Sequence, residues 1–341
     1  MAFWLDIAAF ALKALLIVAG LGALAALIAR LTRHDAGRRR EIEVRSLNKR
    51  YDQMRDELDV EILDWKERRS LARARKREAA RAATPTGKRV YVLGFKGDPM
   101  ASAVKRLARE IDAVLVVARP ETDEVVLRLQ SSGGTVTGYG LAAAEVARLR
   151  DRKIKVTVSV DQVAASGGYM MACAGNQIVA APFALIGSIG VVAPAPNLHR
   201  LLKKNDIDYE ELTAGEFKRS ISVLGEITPA GREHFLGKIE DIHTAFKCFV
   251  AERRPAADIA RVANGDVWLA SEAVSLGLVD ALSTGDDFIF RLKDEARVFE
   301  VATAARKTLL QQLLGGLGFE EPSALAPLGA IGKALSSVRG N

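Results

Sequence analysis

Between Lys88 and Ala174 the chain switches repeatedly between two residue periods, and that switching constrains its fold more than any other feature. Arg89–Phe95 is an apolar, β-branched run that predicts a strand, and Ala101–Val117 carries its apolar residues at helical spacing. Glu124–Leu129 predicts a second strand, Gly133-Gly134 a turn, and the residues up to about Arg150 a helix. Ile154–Val160 predicts a third strand. A further helix begins near Ser166, after the small-residue turn that holds Ala164, Ala165, Ser166, Gly167 and Gly168. Strands that alternate with helices join through right-handed βαβ crossovers, so the expected class is α/β with a mainly parallel sheet.

Ile178 to Pro196 is apolar enough to imitate a membrane span. It contains Pro182, Gly187, Gly190, Pro194 and Pro196, which fit short buried strands and turns better than a lipid-facing helix. Downstream, the pattern predicts a short basic helix at Leu198–Lys204, a short strand at Asp208–Leu212 and a polar connection from Thr213 to Lys218. A long amphipathic helix follows at Pro229–Val250, then short helices at Ile259–Val262 and Ser271–Leu276, with Gly277 as a C-cap.

The N-terminal part is different. Ile7 to Ala29 is apolar except for Lys13 and is long enough to span roughly 30 Å of hydrocarbon. Met1–Asp6 has no basic residue, and the run exceeds the roughly 7–15 residues of a signal-peptide core, so an uncleaved membrane anchor is expected. Arg30, Arg33, Arg38, Arg39 and Arg40 follow the anchor, which by the positive-inside rule keeps the bulk of the chain in the cytoplasm. His34 to Ala83 is dense in charge, with Leu47, Tyr51, Met54, Leu58, Ile62 and Trp65 spaced by three or four. That spacing predicts an amphipathic helical stalk. Its apolar stripe offers self-association, and Arg38–Arg40 with Arg73–Arg77 offer contact with anionic lipid. Thr84-Pro85-Thr86-Gly87 ends the stalk.

The net charge of +7 is concentrated between Arg30 and Lys88, and with only 6% aromatic residues there is no stacking surface for nucleic acid. Cys173 and Cys248 are too few for a disulfide framework and are expected as small buried hydrophobes. His34, His199, His234 and His243 have no metal-ligand spacing, so no metal or other cofactor is expected.

Ser166, between a strand end and a helix start, is either a helix cap or a nucleophile. The G-x-S-x-G elbow is absent: Ala164 stands two residues before Ser166, and Ile186 two before Ser188. A lysine is the other base that activates serine, and it must be neutral to do so, which requires a dry pocket. Lys218, among Phe217, Ile221 and Leu224, is a candidate; a surface lysine paired with Glu216 or Glu226 is the alternative.

Five blocks carry a resemblance to a known family: Arg128 to Gly134 (RLQSSGG), Gly138 to Gly140 (GYG), Asp161 to Ala172 (DQVAASGGYMMA), Gly187 to Val192 (GSIGVV) and Thr213 to Arg219 (TAGEFKR). In this order, from about Arg89 to Leu282, they resemble the signal peptide peptidase A-type serine proteases, closest to the membrane-anchored SohB branch. The resemblance implies a ClpP/crotonase-like fold and homo-oligomers that enclose the active sites. It implies Ser166 as nucleophile, Lys218 as general base and acid, and Ser188 as the group that orients the lysine amine. It places the oxyanion hole at the N–H groups of Gly133 or Gly134 and of Gly167. Where the family usually has Ser-Pro-Gly-Gly, this chain has Ser131-Ser132-Gly133-Gly134, so the turn lacks the φ restraint of proline.

The expected organisation is an anchor over 7–29, a charged stalk over 30–86, a serine protease domain over 87–296 and a C-terminal tail over 297–341. The expected partners are peptide substrates, the lipid bilayer and further copies of the chain. The expected location is a bacterial inner membrane, with the family likeness placing the catalytic domain in the periplasm and the arginine flank placing it in the cytoplasm. A crotonase-type acyl-CoA enzyme and a non-catalytic membrane scaffold are the rival readings; neither needs the Ser166/Lys218 pair.

Overall fold

The computed structural model describes residues 41–81, 87–215 and 217–304, with single positions at 13, 20 and 22. The rest of the expected anchor, Arg38–Arg40 and the tail from 305 lie outside the described residues. No helix among the described residues is long and apolar enough to cross a membrane.

The predicted alternation is present. Strand β2 (Arg89–Lys96) leads to helix α3 (Val104–Val117), β3 (Glu124–Gln130) to α4 (Val136–Asp151), and β4 (Lys155–Val160) is followed by the short β5 (Val163–Ala165) and α5 (Gly167–Cys173). Alternate residues of these strands face opposite ways. Leu93, Phe95, Leu127, Leu129, Val156 and Val158 pack into the main core with α3, α4 and α5. Val90, Val92 and Val126 face a second cluster. A strand buried on both faces reads as a continuous apolar run, which is why these strands were legible.

Gln177–Ala180 forms β6 and Leu185–Gly187 forms β7, the expected short buried strands. Helix α6 is His199–Lys204, α7 is Pro229–Arg253, α8 is Ile259–Val262, and a helical turn at Ala270–Ala273 is α9. Three further elements had no sequence signal: β8 (Val267–Leu269), β9 (Ala281–Leu282) and helix α10 (Gly285–Leu292). The expected strand at Asp208–Leu212 does not form. Ile207, Tyr209 and Leu212 are exposed there, with no neighbouring strand to pair with.

Two strands of the main sheet lie outside the range 87–296. Ile42–Ser46, inside the expected stalk, is strand β1, and Arg297–Thr303, inside the expected tail, is strand β10. The main sheet has the order β1-β10-β2-β3-β4-β6-β9, with β1 antiparallel and the others parallel. β1 alternates apolar and charged residues, as an edge strand does. The stalk then continues as two helices, α1 (Leu47–Ile62) and α2 (Trp65–Arg81). They part at Asp64, whose Oδ1 accepts the N–H groups of Lys66 and Glu67 at 2.8 Å each. α1 is docked on the domain: Asn48 Nδ2 donates to the carbonyls of Lys293 and Ala296, and its Oδ1 accepts the Val298 N–H at 2.7 Å. Cys173 is buried as expected, whereas Cys248 is exposed on α7.

Asp123 closes the base of the parallel sheet. Burial opposes its ionisation, but hydrogen bonds from Arg119 and Arg89 outweigh that and hold the carboxyl far below its ordinary range. A carboxyl that ionises more readily when folded stabilises the fold at pH above the unfolded value of about 3.9, and that contribution is lost as pH falls toward the depressed folded value. Asp123→Asn is therefore expected to be less stable than the wild type at neutral pH, with the gap narrowing in acid. Urea midpoints measured between pH 7 and pH 3 check this; a gap that does not change with pH contradicts it.

Candidate active site

The second sheet builds the site. β5 pairs in parallel with β7, placing Ala165 opposite Gly187, and β8 adds antiparallel to β7. Ser166 and Ser188 therefore leave adjacent strands one residue beyond a paired position, where neighbouring strands lie about 4.8 Å apart. The Ser166 N–H donates to the Gly187 carbonyl at 2.7 Å.

Ser166 has φ 51° and ψ −123°, a conformation that L residues avoid. Holding a non-glycine residue there costs about 1–3 kcal/mol, and such strain concentrates at functional turns. Ser166 stands at the N-cap position of α5, yet its side chain makes no capping hydrogen bond. Its hydroxyl therefore does not cap α5, and it makes no hydrogen bond among the described residues. The geometry is that of a strained strand-to-helix elbow, although the first glycine of the usual motif is missing.

Glycines surround this serine for steric reasons. Gly133 has φ 91°, and a Cβ on it would stand 2.8 Å from both the Gly167 nitrogen and Ser166 Cβ. A Cβ on Gly167 would meet the Tyr139 ring at 2.5 Å, and one on Gly134 would overlap Pro99. The turn joins β5 through Ser131, whose N–H donates to Val163 and whose carbonyl accepts the Ala165 N–H. The Gly133 N–H donates to Ser131 Oγ at 3.1 Å.

Ser188 also has a positive φ, 51°. Its N–H donates to Asp266 O at 2.6 Å and its Oγ to Gly265 O at 3.3 Å. Lys218 comes from a different segment of the chain. It is exposed in the loop between α6 and α7, and its N–H donates to Gly215 O. Among the described residues Lys218 makes no ion pair with Glu226 and no hydrogen bond to either serine, and residue 216 lies outside the described set. Neighbouring Phe217 stacks on His234 of α7, with ring centroids 4.0 Å apart and planes 11° from parallel. The structure thus brings together Ser166, Ser188, Gly133, Gly134 and Gly167, and leaves Lys218 on a separate exposed loop.

Three supports of the site had no signal of their own. Tyr169 Oη donates to Leu278 O, anchoring α5, and burial pushes the Cys173 thiol on the same helix up to about 12. Arg254 forms a two-pronged pair with Asp280 at 2.8 and 2.9 Å and donates to Gly277 O, while Asp280 also accepts the Ile178 N–H. His243 on α7 lies 3.2 Å from the Ile189 carbonyl, next to Ser188. Histidines, arginines and tyrosines far apart in sequence give no spacing from which these contacts can be read.

These features define an α/β domain, with a mostly parallel sheet, that presents an unbonded serine on a strained turn. The sequence matches Peptidase family S49 over residues 148–299 and Peptidase family S49 N-terminal over residues 2–146. The chain belongs to peptidase family S49. A Haemophilus influenzae protein named "Probable protease SohB" is 52% identical over 223 residues, 65% of this chain and 63% of that protein's length. Another of that name, from Buchnera aphidicola subsp. Schlechtendalia chinensis, is 39% identical over 303 residues, 85% of this chain and 99% of its own. Among solved structures, a ClpP1 mutant from Listeria monocytogenes aligns with 59% of this chain and 94% of its own at 14% identity, with a TM-score of 0.38, an overlap too slight to support an argument.

Proposed function

We propose that this member of a peptidase family is a membrane-anchored serine endopeptidase that hydrolyses peptide bonds through a Ser166–Lys218 dyad. The observation that carries the reading is Ser166 itself: strained, uncapped, and pressed against Gly133 and Gly167. In the reaction, Ser166 Oγ attacks the peptide carbonyl carbon while the neutral amine of Lys218 takes the hydroxyl proton. The oxyanion is held by backbone N–H groups of the Gly133–Gly134 turn and of Gly167. Collapse expels the amine of the leaving peptide, which receives the proton from Lys218. Water activated by the same lysine then hydrolyses the acyl-enzyme. Ser188 orients the lysine amine without adding charge.

A lysine base works only in dry surroundings. On a single chain Lys218 is exposed, and so are Leu212, Phe217 and Val223 around it. Homo-oligomer formation covers this apolar loop and dries the lysine. The fold is of ClpP/crotonase type, as the family likeness implies. The apolar run from Ile7 to Ala29 anchors the chain in a bacterial inner membrane, where the substrates are membrane-associated or unfolded peptides, remnant signal peptides among them. Reporter fusions after Lys88 establish on which side the catalytic domain faces.

A serine-reactive fluorophosphonate tests the dyad: labelling of the full chain is expected to disappear in Ser166→Ala and to weaken in Lys218→Ala. Unchanged labelling in Ser166→Ala sinks the reading. Turnover is also expected to climb from mildly acidic toward alkaline pH, because the base must lose its proton. A flat profile with chemistry rate-limiting counts against a lysine base.

A further inference from the structure

The oxyanion turn is wired into a buried chain of hydroxyl groups. Tyr139 Oη donates its only proton to the Asp98 carbonyl at 2.9 Å. Its hydrogen bond with Ser131 Oγ must therefore be donated by Ser131. Ser131 Oγ in turn accepts the Gly133 N–H at 3.1 Å. The order is Gly133 N–H to Ser131, Ser131 to Tyr139, and Tyr139 to Asp98. Ser131 is 2% exposed and Tyr139 fully buried, so no water competes, and each bond polarises the next. Burial also raises the ionisation range of the Tyr139 hydroxyl, which keeps it a donor.

Tyr139 touches three of the parts around the nucleophile. Its hydroxyl reaches the loop after β2 and the oxyanion turn, and its ring lies against Gly167, where a Cβ would come within 2.5 Å of it. The other end of the turn is also fixed, because the Thr135 N–H donates to Pro99 O at 2.8 Å. Of the amides of Gly133, Gly134 and Thr135, only that of Gly134 is unclaimed among the described residues, and Gly134 is exposed while Gly133 is buried. The Gly167 N–H is likewise unclaimed.

We infer that Ser131 and Tyr139 are positioning residues: they hold the Gly133 N–H away from the substrate and aim the Gly134 N–H, together with that of Gly167, at the oxyanion. This rests on the reading of Ser166 as nucleophile. It also explains how a turn with Ser132 in place of proline keeps its direction: a side-chain hydrogen bond at the preceding residue supplies the restraint that a fixed φ supplies elsewhere.

The test uses the full chain in detergent, with Ser131→Ala, Tyr139→Phe and the double variant. Amide hydrogen exchange at Gly133 is expected to accelerate at least about 10-fold in Ser131→Ala, as the N–H loses its acceptor. On a fluorogenic peptide, kcat is expected to fall about 10- to 100-fold in Ser131→Ala with KM within about twofold, less than the roughly 10²- to 10³-fold that outright removal of an oxyanion donor costs. Tyr139→Phe loses less, and the double variant loses no more than Ser131→Ala, because both act through one chain. Unchanged exchange at Gly133 in Ser131→Ala overturns the positioning chain alone. Losses that multiply in the double variant, or that fall on KM with kcat intact, overturn it as well. Turnover that survives Ser166→Ala overturns the nucleophile reading instead.

Discussion

Replacing Ser166 by alanine is expected to lower kcat by about 10⁴- to 10⁶-fold, the range seen when a serine nucleophile is removed from an otherwise intact site. The site survives because its shape does not depend on the hydroxyl. The Ser166 N–H to Gly187 bond, the pairing of Ser131 with Ala164 and the packing of Gly133 are made by backbone and by the Ser166 Cβ, which alanine keeps. A second substitution at the same position separates chemistry from strain. Ser166→Gly is equally inactive, but glycine adopts a φ of 51° without a Cβ penalty. It is expected to be more stable than Ser166→Ala by about 1 kcal/mol, after allowing for the entropy that glycine gains on unfolding. Denaturant midpoints of the two variants check this. Equal midpoints would mean that the turn stores no strain, and residual turnover above about 1% in Ser166→Ala would assign the nucleophile elsewhere.

Asp280→Ala is expected to be strongly destabilising, although it lies away from the reacting groups. Arg254 has only 9% of its side chain exposed, and without Asp280 its charge is left buried with Gly277 O as the one remaining hydrogen-bond partner of the guanidinium among the described residues. The Ile178 N–H loses its acceptor at the same time. Breaking a buried pair from one side costs about 3–5 kcal/mol. The lower end applies here, because Asp280 keeps 35% of its side chain exposed and water can enter in its place. Replacing both partners, as in Arg254→Met with Asp280→Leu, should cost less than Asp280→Ala alone, since no charge is stranded. Thermal and urea unfolding of the three proteins decide this. A double variant less stable than Asp280→Ala would show that the pair matters for shape more than for charge.

The parts of the fold that were legible in sequence are those whose burial is set locally. β2, β3 and β4 are buried on both faces and so spell continuous apolar runs, and α3 and α4 fall between them with helical spacing. β1 was illegible for the opposite reason. Ile42, Glu43, Val44, Arg45 and Ser46 sit in a charge-dense stretch that suits a helix, and only their pairing with β10 makes them a strand. The β signal at Asp208–Leu212 had no partner to satisfy it. At the site, motif order pointed to Ser166, Ser188 and the glycines, and at Gly133, Gly134 and Gly167 a Cβ would collide with its neighbours. Tyr139 was illegible as a positioning residue, because a buried tyrosine in sequence looks like core. Lys218 is exposed on its loop, with its N–H bonded to Gly215 O.

The insertion of β10 between β1 and β2 has a consequence for how the protein is made. Asn48 and Val298, which bond to each other across this junction, are 250 residues apart. Contacts of such separation form late, since a long loop must close before they stabilise anything. During synthesis the emerging chain holds β1 with no partner, and β2 with one edge open, until residues 297–303 leave the ribosome. At about 5–20 residues per second that wait lasts on the order of ten seconds or more, during which an unpaired strand edge is available for pairing with other chains. The order of the strands thus makes completion of the sheet wait for residues 297–303, and places the greatest risk of misassembly before they arrive.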